Sequence, residues 1–268
     1  MVMVMPARRS SAFWQKRNYR FWGPYMDFTY GAYEELLSLI KQNRYDIFTY
    51  EDYKRSNRCV ILRHDIDFSL EAALRIAEIE QKHNVRSTYF ILLSTGFYNP
   101  FHRKSFNIIK SIREMGHEIG LHFDEARYSI SNEKEFIHYV EKEASILSEG
   151  LNISVNVVSM HRPSRWVLDN NLKFNNLINS YSKEFFSNFK YLSDSRMNWR
   201  EDVYQVIQSN TYDRLHILTH PIWYGGKQSN IKDILLDFIN KQRYIYYENI
   251  RDNIRNLDEI FQKDDIII

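Results

Sequence analysis

From Arg58 onward, short apolar runs alternate with stretches of helical periodicity, and this rhythm constrains the fold more than any other feature of the 268 residues. Cys59-Val60-Ile61-Leu62 reads as a buried strand. Ser69 can cap the helix that follows, in which Leu70, Ala73, Leu74 and Ala77 recur on one side. A second strand is predicted over 87–93, then a helix near 106–115 stopped by Gly116. Residues 117–123 read as a strand, and Asn132 with Glu135 forms a capping box for a helix ending near Gly150. Further strands are predicted over 155–160, 203–207 and 215–219, with a last helix over 231–241. The pattern predicts a parallel β/α architecture. In such folds the polar residues just beyond the strand C-terminal ends build the site.

Composition narrows the class. The hydrophobic share is 44% and the charged share 26%, which describes a folded globular chain. One cysteine, Cys59, excludes disulfide scaffolds and Cys-based zinc sites. A net charge of +2 argues for neither nucleic acid nor a membrane surface as partner. No apolar run approaches the ~20 residues of a membrane span. The Met-Val-Met-Val-Met start is too short for a signal-peptide core, so a cytoplasmic location is expected. No linker or repeat divides the chain, and one domain over 1–268 is expected. Residues 1–57 then form a flank, aromatic and basic over 11–53 with Phe13, Trp14, Tyr19, Phe21, Trp22 and Tyr25, ending in a helix-like stretch over 34–42. The motif-bearing core is 58–224.

Four segments carry chemistry at predicted strand ends. In Arg63-His64-Asp65-Ile66-Asp67, alternation puts Asp65 and Asp67 on one side of the strand. Two such carboxylates repel unless a cation or proton compensates. In Gly116-His117-Glu118-Ile119-Gly120-Leu121-His122-Phe123-Asp124, counting by twos places Glu118, Gly120, His122 and Asp124 on one face. His122 lies near the C-terminal end, where a neutral imidazole can hold a metal. Ser159-Met160-His161-Arg162-Pro163 and Leu215-His216-Ile217-Leu218-Thr219-His220-Pro221 follow two more strands. Pro221 favours an extended His220, and His216, deeper on the same face, reads as structural. A fifth segment, 194–201, is polar around Trp199 and by itself reads as a loop.

In combination and order these motifs, with Ser87-Thr88-Tyr89-Phe90, resemble the polysaccharide deacetylase superfamily, and the likeness spans roughly Val60 to Tyr224. It is closest to a branch associated with bacterial surface-polysaccharide (O-antigen or capsule) genes. The resemblance implies a distorted parallel β/α barrel, one divalent metal ion, most simply zinc, and hydrolysis of an N-acetyl or other acyl group on a sugar. It makes Asp65 the general base, Asp67 and His122 metal ligands and His220 the general acid, with the two aspartate roles open to exchange. The family's paired aspartates are adjacent, whereas Ile66 separates them here. Its second histidine, four residues after the first, is replaced by Ala126. His161 is the substitute ligand and Asp124 the second choice, with Asp124 otherwise placed at the substrate. Arg162 would orient the catalytic carboxylate, and Trp199 would wall the acyl pocket.

The expected substrate is a small sugar, nucleotide- or lipid-linked, because no export signal is read and the basic aromatic flank suits a base and a phosphate. Two rival readings remain. One is a sugar-binding homologue without activity, motivated by Ala126. The other is a haloacid-dehalogenase-type phosphatase with Asp65 as nucleophile, which leaves His122, His161 and His220 without a task.

Overall fold

The computed structural model describes residues 25–266. The flank residues from Phe13 to Trp22 lie outside these described residues. Helix α1 spans Tyr30–Gln42, opened by Thr29, whose hydroxyl accepts from the Ala32 amide. Strands β1 (Asp46–Phe48) and β2 (Cys59–Ile66) follow, then α2 (Leu70–Lys82), β3 (Thr88–Leu92) and α3 (Arg103–Glu114). Next come β4 (Glu118–Phe123), α4 (Glu133–Leu151), β5 (Val157–Met160), α5 (Arg165–Asp169), β6 (Ile178–Asn179) and α6 (Lys183–Ser187). The chain continues through β7 (Lys190–Ser193), α7 (Val203–Ser209), β8 (Arg214–Thr219) and α8 (Ile231–Asn253).

The caps are chemically ordinary. Ser69 accepts from the Ala72 amide at 3.2 Å, and Asn132 from the Glu135 amide at 3.0 Å. The Glu135 carboxylate reaches back to the Ser131 amide, one residue before the cap. Gly116, at φ 93°, ends the turn after α3 in a conformation that a Cβ would disfavour.

The strands form one all-parallel sheet in the order β6-β5-β4-β3-β2-β8-β7, with β1 on the lower half of β2 beside the entry of β3. The sheet curls as a distorted β/α barrel that stays open between β6 and β7. Its two faces bury separate cores. Cys59, Ile61, Phe90, Val157, Phe185 and Phe189 meet Tyr50 and Tyr53 on the inner face. Val60, Leu62, Ile66, Ile119 and Leu121 pack outward against Ile76, Ile109, Val140 and Leu147 of the helices. This two-sided burial explains why the strands read as continuous apolar runs. Gly120 sits where inner side chains crowd: a Cβ there would lie 2.6 Å from the Phe90 ring and 2.9 Å from Val157.

Two expectations need correction. Residues 203–207, expected as a strand, lie in α7, because Asp202 caps the Gln205 amide at 3.1 Å and the buried Val203 and Ile207 are four residues apart. The strand pairing with β8 on that side is β7, built from Lys190-Tyr191-Leu192-Ser193. The last helix runs on to Asn253, beyond the expected Lys241.

Candidate metal centre and catalytic groups

Alternation along β2 delivers Arg63, Asp65 and, just past the strand, Asp67 to the inside of the barrel mouth. Tyr98 holds the strand end by donating to the Ile66 carbonyl at 2.6 Å, and Thr95 donates to the Asp67 carbonyl at 3.2 Å. Strand β4 brings His122 beside Ser159 of β5. The His161 amide then donates to the Phe123 carbonyl at 2.7 Å, extending the pairing by one step and setting His161 next to His122.

Three atoms converge there. Asp67 Oδ1 lies 3.2 Å from His122 Nε2 and 3.3 Å from His161 Nδ1, and the two nitrogens are 3.2 Å apart. A tetrahedral ion with bonds of about 2.0–2.1 Å spaces its ligand atoms by roughly 3.3 Å. Asp67 Oδ1 is also buried without a hydrogen-bond partner, so the donor set fits a divalent ion. Burial opposes the charge of Asp67, but the imidazoles of His122 and His161 beside it, with His220 further off, outweigh that and hold its carboxyl far below the usual range. Asp124 is not in this cluster. Its oxygens meet the Ala126 amide at 3.1 Å and Arg162 Nη2 at 3.3 Å.

Asp65 stands one layer deeper, with Oδ2 3.8 Å from His122 Nε2. Its partner is Arg63, fully buried, whose Nη2 donates to Asp65 Oδ2 at 2.7 Å. Burial alone would raise the Asp65 pKa, yet the Arg63 guanidinium, helped by His122 and His220, keeps it below the ordinary value. Arg63 also donates to Ser180 at 3.0 Å and Ser159 at 2.9 Å, and lies over the Phe90 and Tyr181 rings at 5.1 and 5.2 Å. Arg162, by contrast, carries a side chain that is 74% exposed, on a backbone at φ 47°. The guanidinium that touches Asp65 is therefore that of Arg63. The signal for it was present in sequence, since Arg63 shares the face of Asp65.

On the far side of the mouth, His220 is fixed by Asp194. Asp194 Oδ1 is 2.6 Å from His220 Nδ1, and its carboxylate also accepts the His220 amide at 3.0 Å and the Tyr224 hydroxyl at 3.1 Å. His220 Nε2 is left facing Asp67 Oδ2 at 3.9 Å. Burial disfavours its charge, but Asp194 dominates and raises the imidazole pKa to about 9. Trp199 is 1% exposed and packs in the outer core, lining a cavity of about 320 Å³ with Met26, Arg196 and Asn230. His216 lies deep in the barrel with Nε2 2.6 Å from the Tyr50 hydroxyl, and burial holds its pKa well down.

No protein-family model matches the chain, and no curated protein matches it. Solved structures do. A CE4 family pseudoenzyme from Bacillus anthracis is similar at 18% identity, over 69% of this chain and 62% of that one, with a TM-score of 0.39. The chain thus spans less than two thirds of that structure's length. The catalytic domain of a peptidoglycan N-acetylglucosamine deacetylase from Eubacterium rectale is similar at 16% identity, over 67% and 81% of the two chains, with a TM-score of 0.42. A Streptococcus mutans CE4 esterase is similar at 14% identity, over 74% and 85%, with a TM-score of 0.43. Ala126 lies four residues after His122, and it is His161 that stands beside His122 in the barrel mouth.

Proposed function

We propose that this protein is a metal-dependent hydrolase that removes an N-acetyl or related acyl group from a sugar. The observation that carries the reading is the set of three ligand atoms spaced 3.2–3.3 Å apart, flanked by a carboxylate on one side and an Asp-oriented histidine on the other. Asp67, His122 and His161 would hold one divalent ion, most simply zinc, which supplies Lewis acidity and an acidified water.

The chain's own residues divide the remaining work. Asp65, ionised against Arg63, accepts a proton from the attacking water. His220, kept protonated by Asp194, gives its proton to the departing sugar amine, so that water and amide become a carboxylic acid and an amine. Asp124 and Arg162 lie together at the rim, where Asp124 and the exposed guanidinium would meet the substrate. Trp199, buried in the outer core, would act on the acyl pocket only from behind, through the loop that follows β7. The sugar we favour is a small nucleotide- or lipid-linked precursor of a surface polysaccharide, handled in the cytoplasm. Among the described residues no helix is long and apolar enough to cross a membrane.

A screen of N-acetylated sugars, free and nucleotide-linked, for zinc-dependent amine release tests the reading. Release from a nucleotide-linked monosaccharide supports it, and turnover of long chitin oligomers alone would overturn the substrate class. Phosphate release from sugar phosphates, with no amine, would favour the phosphatase reading.

A further inference from the structure

Ser159 touches three groups of the site at once: His122 Nδ1 at 2.9 Å, Arg63 Nη2 at 2.9 Å and Asp65 Oδ1 at 3.4 Å. All four residues are buried, with exposures of 4% or less. A hydroxyl has one proton to give and two lone pairs, whereas a guanidinium only donates. Arg63 therefore claims one lone pair of Ser159. The Ser159 proton then points to the ionised Asp65, the acceptor-only group among the three side chains it touches. The second lone pair is left for His122, which must donate from Nδ1.

We infer that Arg63 and Ser159 are positioning residues that together assign the roles of the site. They fix the His122 tautomer so that Nε2 carries the lone pair facing Asp67 and His161, and they hold Asp65 off the ion so that it serves as base while Asp67 serves as ligand. The inference rests on the metal-dependent reading. It also explains how a chain whose aspartates are separated by Ile66 keeps them apart in function. Both point to the same side of β2, and without a restraint Asp65 Oδ2, 3.8 Å from His122 Nε2, would be free to join the ion. Arg63 reaches Asp65 from two residues earlier on the same strand, and Ser180 anchors its other nitrogen at 3.0 Å.

Cobalt(II) binding to the full chain, followed by visible absorption, tests this without relying on turnover. Ser159→Ala should lower cobalt affinity about 10- to 100-fold, the usual cost of losing a partner behind a ligating histidine, with the band shape retained. Arg63→Met should change the band shape as Asp65 enters the coordination sphere, and Arg63→Met with Asp65→Asn should restore it. Arg63→Lys, which keeps a donor and the charge, should keep the wild-type spectrum. In amine release, Ser159→Ala and Arg63→Lys should lower kcat more than they change KM. If Arg63→Met does not fold, Ser180→Ala and Ser159→Ala carry the test, because each removes one contact of the guanidinium network and should weaken cobalt binding or kcat measurably. Wild-type cobalt affinity in Ser159→Ala, or a wild-type spectrum lost in Asp65→Asn alone, would overturn the inference. Failure of the wild-type protein to bind cobalt would instead overturn the metal reading, and this inference with it.

Discussion

Asp194 and His220 are joined at 2.6 Å between Oδ1 and Nδ1, and Asp194 is wholly buried behind that contact. The aspartate holds the imidazole by ring and backbone together, so its loss should act through the proton that His220 carries. With burial opposing and Asp194 favouring the charged ring, Asp194→Asn should lower the His220 pKa. An acid works only while protonated, so the alkaline limb of the kcat profile should move to lower pH. A pH–rate profile of the variant with an N-acetyl substrate checks this, and an unmoved limb would detach His220 from proton donation.

His220→Ala should depress amide hydrolysis by ~10²–10⁴-fold while one metal equivalent remains bound. An O-acetyl ester, whose alcohol leaves more easily, should lose less. Parallel kcat measurements on an amide and an ester of the same sugar decide it. Equal losses would move His220 to a binding role.

His161→Ala should abolish stoichiometric metal binding in a folded protein, because it removes one of three atoms that meet at 3.2–3.3 Å. Metal content measured beside the circular dichroism spectrum checks both halves. Full occupancy would promote Asp124, which now pairs with Arg162.

Acid should destabilise the fold through the polar node outside the sheet. Glu80, fully buried, accepts from Tyr33 at 2.7 Å and from Ser87 and Tyr89 at 2.6 Å, with His64 Nε2 at 3.1 Å. Burial would raise its pKa, but His64 and His117 outweigh that and bring it from 4.5 to about 2. A carboxyl depressed in the folded state gives stability that is present above its unfolded value and lost as pH falls from about 4.5 towards 2. The shift corresponds to roughly 3 kcal/mol. Burial also depresses His117, so its part of the loss begins below about 6.5, where the unfolded imidazole takes up a proton. Urea midpoints for wild type and Glu80→Gln between pH 7 and 3 test this. The variant should start lower and fall less between pH 4.5 and 3.

Gly120→Ala should cost about 1–3 kcal/mol by overpacking, because the added carbon would meet the Phe90 ring and Val157 below 3 Å. Thermal unfolding should show a lowered Tm that Phe90→Leu in the same chain partly restores. An unchanged Tm would mean that the inner core repacks freely.

Much of this arrangement was legible before the structure, for reasons of period. Counting by twos placed Asp65 with Asp67 and Glu118 with His122, because strand parity is strict once one face is buried. Other features depend on pairing across distance. Asp194 lay in a segment that read as a loop, and only the β7–β8 pairing brings it to His220, 26 residues on. Parity puts Arg63 on the face of Asp65, but its other partners, Ser159 and Ser180, come from distant parts of the chain and leave no mark near it in sequence. Strand β6, with two residues, and β1, with three, are too short to show a period. The apolar run at 203–207 fits helix and strand alike until its cap is considered.

The central claim is that three residues hold a metal and a separate carboxylate activates water. The most direct measurement is amine release from an N-acetylated sugar during zinc titration of the metal-free full chain, beside the same titration of Asp65→Asn. Wild-type activity should rise linearly to one equivalent and stop. The variant should bind one equivalent and release amine at least ~10²-fold more slowly. Zinc-independent release by wild type, or undiminished release by the variant, would contradict the account.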